Sequence, residues 1–331
     1  MRLLALLCGG GLVAAGPAAA GPAGAAPPRA ETGSFRFAPA GNQKNVPLRY
    51  RLAAATFDYW MALQYDLPSA DVSVYRVRFP SPVQTPHPEN NTVHAEYYRP
   101  YGKGPFPGVI VLDVTAGDQS LSRGIATHLA QNGIAGLFVQ IAYYGPRRPP
   151  GSKLRLLSPN IKQTTAAVTQ TVLDLRVATA WLESRPEVDG KKLGIVGTSL
   201  GSFLAALTGE MEPRLGRVAV LLGGGGFIDG YANHPLAAPW LKLYENLGGK
   251  RDALKKAIAP IDPITNAALL KKRDLLILAA SRDDVVPPSM AKRLWEASGK
   301  QKITWYDCGH YDAIVHIVEA LDLLTTHFTE P

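Results

Sequence analysis

Cysteine is scarce in this chain, which contains two among 331 residues. Cys8 lies in an N-terminal stretch that we expect to be removed, and Cys308 then stands alone. The sequence therefore predicts neither an intramolecular disulfide nor a cysteine-based zinc site. We interpret Cys308 as a small buried apolar residue rather than a reactive thiol.

Concentrated positive charge is also lacking, although the formal net charge is +8. The Lys and Arg residues are scattered and no nucleic-acid motif accompanies them, so we predict no nucleic-acid partner. The four glycines at residues 223–226 do not form a dinucleotide fingerprint, because the G-x-G-x-x-G pattern with its helix and acidic strand end is missing. We predict no metal and no cofactor.

Long hydrophobic runs are missing as well. The apolar stretch at residues 3–16 is too short to span a bilayer, and no later stretch is longer and equally apolar. Because Arg2 precedes this stretch and small residues end it at Ala20, we interpret residues 1–20 as a signal peptide. We expect a secreted or periplasmic protein with no stable membrane insertion. The Ala/Gly/Pro-rich residues 21–33 read as a disordered spacer before a single domain at residues 34–331; the oligomeric state is not predicted.

Apolar strands alternating with amphipathic helices fill most of the chain. Residues 108–113, 136–141, 218–222 and 275–279 are apolar almost throughout, which is typical of strands buried on both faces. We predict an α/β fold: a mostly parallel central sheet of about eight strands with helices on both faces. Reactive groups in such folds gather at the carboxyl ends of the strands.

Three segments depart from this alternation. Residues 72–78 and 92–98 alternate apolar and polar side chains and read as two antiparallel edge strands. The aromatic residues between 34 and 67 show no clear period, and we expect this segment to drape over the domain. Residues 223–266 are too long for an ordinary connection and form either a helical lid over the site or a helical pair packed on the side.

The motif Gly197-Thr198-Ser199-Leu200-Gly201 follows an apolar strand and precedes a helical pattern. Strand, G-x-S-x-G and helix in this order are typical of a nucleophile elbow, in which a tight turn exposes the serine hydroxyl. Glycine is required where side chains would collide in the turn. A serine that merely caps the following helix is the competing interpretation.

An acid and a histidine follow at later strand ends. Asp283 comes just after the strand at residues 275–279, and His310 comes after residues 303–306. Ser199, Asp283 and His310 thus occur in the chain order of a catalytic triad in this kind of sheet. We predict Ser199 as nucleophile, His310 as general acid and base, and Asp283 as the orienting carboxylate. Asp284 is the rival carboxylate, one position further.

Residues for the remaining parts of the site are less sharply defined. Backbone N–H groups of Leu200 and of either Thr115 or Val114 are candidates for an oxyanion hole, with Thr115 preferred. Four aromatic residues are candidates for the substrate wall, with core packing as the alternative for each: Tyr143, Tyr144, Phe227 and Trp240. The basic loop at Arg147, Arg148, Lys153 and Arg155 either meets a negatively charged substrate or is simply solvated.

With these motifs in place, residues 107–328 resemble the α/β-hydrolase superfamily. Residues 107–117 and 141–144 are similar to its dienelactone-hydrolase-like and acyl-thioesterase-like branch. That branch often has a cysteine nucleophile, so Ser199 shifts the expectation toward oxygen esters. The His-Gly pair that many esterases place after this strand is replaced by Asp113-Val114.

The resemblance implies the fold and a hydrolase, but no substrate. With the predicted signal peptide and the residues Ser199, His310 and Asp283, we predict an exported serine hydrolase that cleaves a small-molecule or polymeric carboxylic ester through an acyl-enzyme intermediate. A serine peptidase of the same fold is the first alternative. A non-catalytic binding protein on a hydrolase scaffold is the second.

Overall fold

The computed structural model describes residues 30–41, 43–115, 119–235 and 237–330. The expected signal peptide and spacer residues 21–29 lie outside these ranges. Residues 31–33, which we expected in the disordered spacer, instead begin the first strand, because their backbone pairs with residues 59–61. Within the described ranges, no helix combines the length and hydropathy needed to cross a membrane.

The described residues form one sheet of ten strands in the order β1-β2-β3-β4-β6-β5-β7-β8-β9-β10. Strands β1 to β4 and the β4–β6 pair are antiparallel, whereas β5 to β10 run parallel. The strands are β1 (Glu31–Phe37), β2 (Ala55–Leu67), β3 (Val72–Pro80), β4 (Thr92–Pro100), β5 (Phe106–Leu112), β6 (Ala135–Val139), β7 (Val188–Thr198), β8 (Leu215–Leu221), β9 (Asp274–Ala280) and β10 (Lys302–Tyr306).

Eight α-helices and several short 3-10 helices complete the described part of the chain. The α-helices are α1 (Ser120–Gln131), α2 (Ile161–Glu183), α3 (Leu200–Met211), α4 (Phe227–Gly230), α5 (Ala238–Asn246), α6 (Arg251–Ile258), α7 (Pro288–Ala297) and α8 (Ile317–Thr329). The 3-10 helices are Gln43–Asn45, Leu48–Tyr50, Pro68–Ala70, Pro88–Asn91, Gly145–Arg147, Ala259–Ile261, Pro263–Thr265, Ala267–Lys272 and Asp312–His316.

The helices cover both faces of the sheet, and each face has its own apolar cluster. Helices α2, α3 and α7 contribute to the cluster on one face, and α1 and α8 contribute to the cluster on the other. The long helix α2 begins where the Asn160 side chain accepts hydrogen bonds from the N–H groups of Lys162 and Gln163. Its Trp181 is fully buried and meets the Tyr97 ring edge-on at 5.3 Å. The predicted α/β-hydrolase architecture is confirmed.

The N-terminal part of the prediction needs correction. The sheet has ten strands rather than about eight, because the aromatic segment that we expected to drape over the domain supplies β1 and β2. These two strands pair beside β3. Strands β3 and β4 are antiparallel partners, as predicted. Because β1 and β2 lie beyond β3, neither β3 nor β4 is an edge strand.

The basic loop after β6 also differs from expectation at one position. Arg147 is fully buried and its guanidinium pairs with the Asp174 carboxylate at 2.6 Å. It also donates to the backbone carbonyls of Gln140 and Asn90. Arg147 therefore anchors the loop to α2 and the sheet, and it is not available to a substrate.

Candidate active site

The turn at Ser199 has the geometry of a nucleophile elbow. Ser199 joins β7 to α3 with φ +53°, in the sparsely populated left-handed region, and its N–H donates to the Leu221 carbonyl at 2.8 Å. A Cβ on Gly197 would lie 2.1 Å from the Gly201 carbonyl oxygen, and a Cβ on Gly201 would lie 2.6 Å from the Asp113 carbonyl oxygen. Only glycine fits at either place, so the strand can turn directly into the helix behind the serine.

Three side chains that are far apart in the sequence converge at this turn. The Ser199 Oγ lies 3.1 Å from His310 Nε2, and His310 Nδ1 lies 2.7 Å from Asp283 Oδ2. Each of the three residues is 7 % exposed, so the group is sheltered from bulk water yet still borders a cavity. The three residues predicted from strand order are therefore within hydrogen-bonding reach of one another.

Asp283, rather than its neighbour Asp284, reaches the histidine. Its second oxygen, Oδ1, accepts from the N–H groups of Val285 and Val286 at 2.9 and 2.7 Å, which fixes the carboxylate plane. Asp284 is exposed, and its backbone carbonyl accepts from His234 Nε2 at 2.7 Å. The loop after β9 thus brings the Asp283 carboxylate to the histidine, whereas Asp284 lines the cavity next to it.

Backbone pairing continues past the strand ends and sets the histidine loop beside the aspartate loop. The Ser281 N–H donates to the Tyr306 carbonyl at 2.8 Å, and the Arg282 N–H donates to the Cys308 carbonyl at 3.0 Å. These bonds join the two loops directly after the last paired residues of the strands, Ala280 and Tyr306. His310 consequently emerges next to Asp283 rather than elsewhere on the loop.

The hydrogen-bond pattern defines which imidazole nitrogen carries a proton. A carboxylate only accepts, so His310 Nδ1 must donate to Asp283. In the neutral imidazole, Nε2 is then the acceptor and faces the Ser199 hydroxyl. This arrangement can take a proton from the hydroxyl oxygen and return it to a leaving group.

Of the two predicted oxyanion positions, one directly follows the serine in the chain and the other lines the same cavity. Leu200 is the first residue of α3, where helix N–H groups are unsatisfied by the helix itself. Thr115 and Val114 both line the same cavity as Ser199. The preceding residue, Asp113, accepts from the Ser122 hydroxyl at 2.7 Å, which ties this turn to α1.

The cavity beside Ser199 has a volume of about 570 Å³, within the range of small-molecule sites. None of the four aromatic residues predicted for the substrate wall is among its described lining residues. Tyr143 and Tyr144 pack against the apolar cluster that includes α2. Phe227 packs on Phe203 with ring centroids 5.0 Å apart. Trp240 lies on α5, outside the cavity.

The insertion at residues 223–266 contributes to the site through the link between α4 and α5. Tyr231 and His234 line the cavity, whereas α5 and α6 supply none of its described lining residues. The Tyr231 hydroxyl donates to the Val285 carbonyl at 3.0 Å, which binds this link to the loop that carries Asp283. The buried Asp262 carboxylate accepts from the N–H groups of Gly226 and Phe227 and anchors the start of the insertion.

Tyr231, His234 and the aliphatic lining of the cavity were missed from the sequence. A periodic aliphatic position on α1 or α8 signals burial, and burial alone does not distinguish a core contact from a cavity wall. Cys308 is buried as predicted, and burial raises the pKa of its thiol. In the part of the chain that the structure describes, no cluster of three or more His, Cys, Asp or Glu side chains could hold a metal ion.

Comparison with known families fits this fold and site. The chain belongs to the family described as alpha/beta hydrolase domain containing 18, whose model matches residues 57–224. The model of the prolyl oligopeptidase family matches residues 164–320, which span Ser199, Asp283 and His310.

Solved structures with the same fold include esterases. The chain is similar to acetyl xylan esterase 1 of Thermoanaerobacterium, with 18% identity, a TM-score of 0.62, and coverage of 80% of this chain and 87% of that one. For the acetyl xylan esterase of Paenibacillus the identity is 20%, the TM-score 0.59, and the coverage 79% and 88%. For a Klebsiella pneumoniae protein assigned as a dienelactone hydrolase, the identity is 18%, the TM-score 0.55, and the coverage 78% of this chain and 99% of that one. At these identities the likeness shows the fold.

Curated relatives include an uncharacterised protein of Mycobacterium tuberculosis that is 26% identical over 208 residues, or 62% of this chain. The chain spans 63% of the length of that relative. A second uncharacterised protein of the same organism is 29% identical over 154 residues, which cover 43% of this chain and 33% of the relative.

Proposed function

We propose that this protein is a serine hydrolase that cleaves carboxylic esters through an acyl-enzyme intermediate. The observation that carries the proposal is the hydrogen-bonded row from Ser199 Oγ through His310 to Asp283, with distances of 3.1 and 2.7 Å. The esterases among the structural neighbours support it.

The proposed reaction uses each group in turn. Ser199 Oγ bonds to the ester carbonyl carbon while its proton passes to His310 Nε2. The carbonyl oxygen becomes an oxyanion, which the backbone N–H groups of Leu200 and Thr115 would bind. One such donor is typically worth about 2.7–4 kcal/mol of barrier. The oxyanion collapses and expels the alcohol, which takes the proton from His310.

The second half of the reaction repeats these roles with water. His310 accepts a proton from the water molecule as its oxygen attacks the acyl carbon. Collapse then releases the carboxylic acid and returns the proton to Ser199. Asp283 holds the imidazole in the required tautomer and stabilises its positive charge in both halves.

The test combines labelling with turnover. A fluorophosphonate probe should label the unaltered protein and the control Ser69→Ala, whose serine is exposed in the 3-10 helix Pro68–Ala70. It should leave Ser199→Ala unlabelled. Hydrolysis of p-nitrophenyl esters should fall in Ser199→Ala by orders of magnitude while thermal stability is unchanged. Equal labelling of Ser199→Ala and the unaltered protein would refute the assignment of the nucleophile.

A peptidase is the second candidate, because the prolyl oligopeptidase family model matches the stretch that holds the proposed triad. Aminoacyl anilides run beside the esters separate the two. Anilide turnover without ester turnover would replace the esterase proposal with the peptidase. An unlabelled protein that hydrolyses neither substrate would favour a binding protein.

We also propose that the protein is exported, on the basis of the Arg2 and apolar pattern at residues 1–20. Expression of the full chain in a bacterium with a periplasm tests this proposal. N-terminal sequencing of the periplasmic product should begin at Gly21. An uncleaved product retained in the cytoplasm would contradict it.

A further inference from the structure

The floor of the 570 Å³ cavity is a row of side chains that crosses the sheet. Thr198 on β7 pairs with Leu221 on β8, and Leu221 pairs with Leu278 on β9. Direct partners across strands project to the same face, so these three side chains form one continuous surface. Tyr306 on β10 extends the lining one strand further. Three strand spacings amount to roughly 14 Å, measured from the strand that carries the nucleophile.

The walls of the cavity come from the two helices on that face. Leu121 and Ile125 lie one turn apart on α1, and Ile317 and Ala320 lie one turn apart on α8. These four side chains and the two leucines of the floor are aliphatic, so the polar groups of the floor and helical walls are the Thr198 and Tyr306 hydroxyls at the two ends of the floor. The His and Asp side chains of the lining, by contrast, are in the loops at the strand ends: His234, Asp284 and His310.

We propose that this cavity binds an unbranched aliphatic chain carried by the ester, and that Ala320 limits the length of chain that fits. The inference rests on the proposed esterase function and names its substrate class. A methylene group moved from water to an apolar site gains enough free energy to favour binding by about fourfold. The value of kcat/KM should therefore rise with the number of methylene groups in the aliphatic chain of the ester.

Other ester classes fit this cavity poorly. An acetyl group would occupy a small part of the 570 Å³ and leave its aliphatic walls in contact with water or void. A sugar carries several hydroxyl groups, and those that lie against Leu221, Leu278 and Ile125 would be buried without hydrogen-bond partners, since the floor provides the hydroxyls of Thr198 and Tyr306 alone. An aliphatic chain can make apolar contacts with the leucines of the floor and with the side chains of both helical walls.

The aliphatic chain belongs either to the acid or to the alcohol of the ester, so two substrate series are needed. One series varies the acyl group of p-nitrophenyl esters from acetate to decanoate. The other varies the alcohol of acetate esters from ethyl to decyl. We expect kcat/KM to rise by about fourfold per methylene in one series until the cavity is filled. A flat profile in both series, with acetate esters still hydrolysed, overturns the chain site and leaves the esterase function intact.

Variants on opposite walls test the position of the chain. Ala320→Phe on α8 and Leu121→Phe on α1 should each move the optimum to shorter chains and lower kcat/KM for the decanoyl or decyl ester by at least tenfold, with acetyl turnover little changed. Two variants are used because one of them could fold poorly. Val318→Phe is the matched control: it is on α8 but 70 % exposed and outside the cavity, so its chain-length profile should not move.

A binding measurement separates the chain site from catalysis. Decanoate titrated calorimetrically into Ser199→Ala should bind, and the additional change Ala320→Phe should weaken that binding at least tenfold. If decanoate binds in this way but the unaltered protein hydrolyses no ester, the cavity assignment is supported and the esterase proposal is refuted. Absence of decanoate binding together with a flat profile in both series would refute the cavity assignment.

Discussion

A Cβ atom on Gly197 would lie 2.1 Å from the backbone carbonyl oxygen of Gly201. The obstacle is backbone rather than a flexible side chain, so the turn itself must move to admit a methyl group. Gly197→Ala should destabilise the fold by about 1–3 kcal/mol, the usual cost of overpacking. It should also lower kcat/KM by more than stability explains, because Ser199 is displaced from His310. Urea unfolding and ester kinetics measure the two effects.

Gly216→Ala serves as the control for that substitution. Gly216 lies in β8, and a Cβ there would meet its nearest neighbour, the Leu193 carbonyl oxygen, at an ordinary 3.9 Å. Its stability and activity should stay close to those of the unaltered protein. Equal losses in both variants would show that the elbow has no special demand for glycine.

The two adjacent aspartates should behave very differently. Asp283→Asn allows the amide to donate to His310 Nδ1, which turns the imidazole to the wrong tautomer and should lower kcat by about 10⁴. Asp284→Asn changes a residue that lines the cavity but is not the carboxylate bonded to His310, and it should leave kcat within a factor of a few. Steady-state ester kinetics on the two variants provide the check. Similar losses in both would contradict the assigned triad.

Arg147 should contribute to the stability of the fold rather than to substrate binding. Arg147→Met leaves the fully buried Asp174 carboxylate without its partner, which should cost about 3–5 kcal/mol of unfolding free energy. Lys153→Met, in the same basic loop but exposed, should change stability by less than about 0.5 kcal/mol. Chemical denaturation distinguishes the two. An Arg147→Met protein of normal stability but raised KM would restore a role in substrate binding.

Glu210 makes stability depend on pH. It lies on α3, is 2 % exposed, and its carboxylate oxygens have no hydrogen-bond partner among the described residues. Burial, with a smaller contribution from Asp262, raises its pKa well above the ordinary 4.5. The folded protein therefore keeps this proton at a pH where the unfolded chain has lost it. Stability falls as pH rises above 4.5, by up to about 1.4 kcal/mol per unit, until the folded-state pKa is reached.

Glu210→Gln should remove this contribution, because the amide does not titrate. Unfolding free energies of both proteins, measured by urea at pH 5 and pH 8, give the comparison. The variant should lose less stability between the two pH values than the unaltered protein. Parallel pH profiles would show that Glu210 is already ionised in the folded state.

The parallel half of the fold could be predicted because its strands are apolar on both faces, as at Leu275 to Ala279. Strand β2 could not. Its pairing with β3 shifts register between Leu63 and Tyr65, which interrupts the two-residue alternation that marks a strand. Most of its residues are also exposed or half-buried, so its aromatic residues show no single apolar face.

The triad could be predicted because strand order alone places Ser199, Asp283 and His310 at one edge of a parallel sheet. The walls of the cavity could not, since residue type does not reveal which void a side chain faces. Ile125 is 2 % exposed, as a core residue would be, and yet it lines the cavity. Phe227 was predicted from the sequence as a substrate contact, but its ring packs against Phe203.

The position of β1 has a practical consequence for attaching the protein to other material. In the strand order, six intervals separate β1 at one edge from β7, which carries the nucleophile. At about 4.8 Å per interval this is roughly 29 Å. A resin, tag or fused carrier joined just ahead of residue 30 would project from the margin remote from the cavity mouth. Immobilised in that orientation, the protein would keep its entrance open to the surrounding solution.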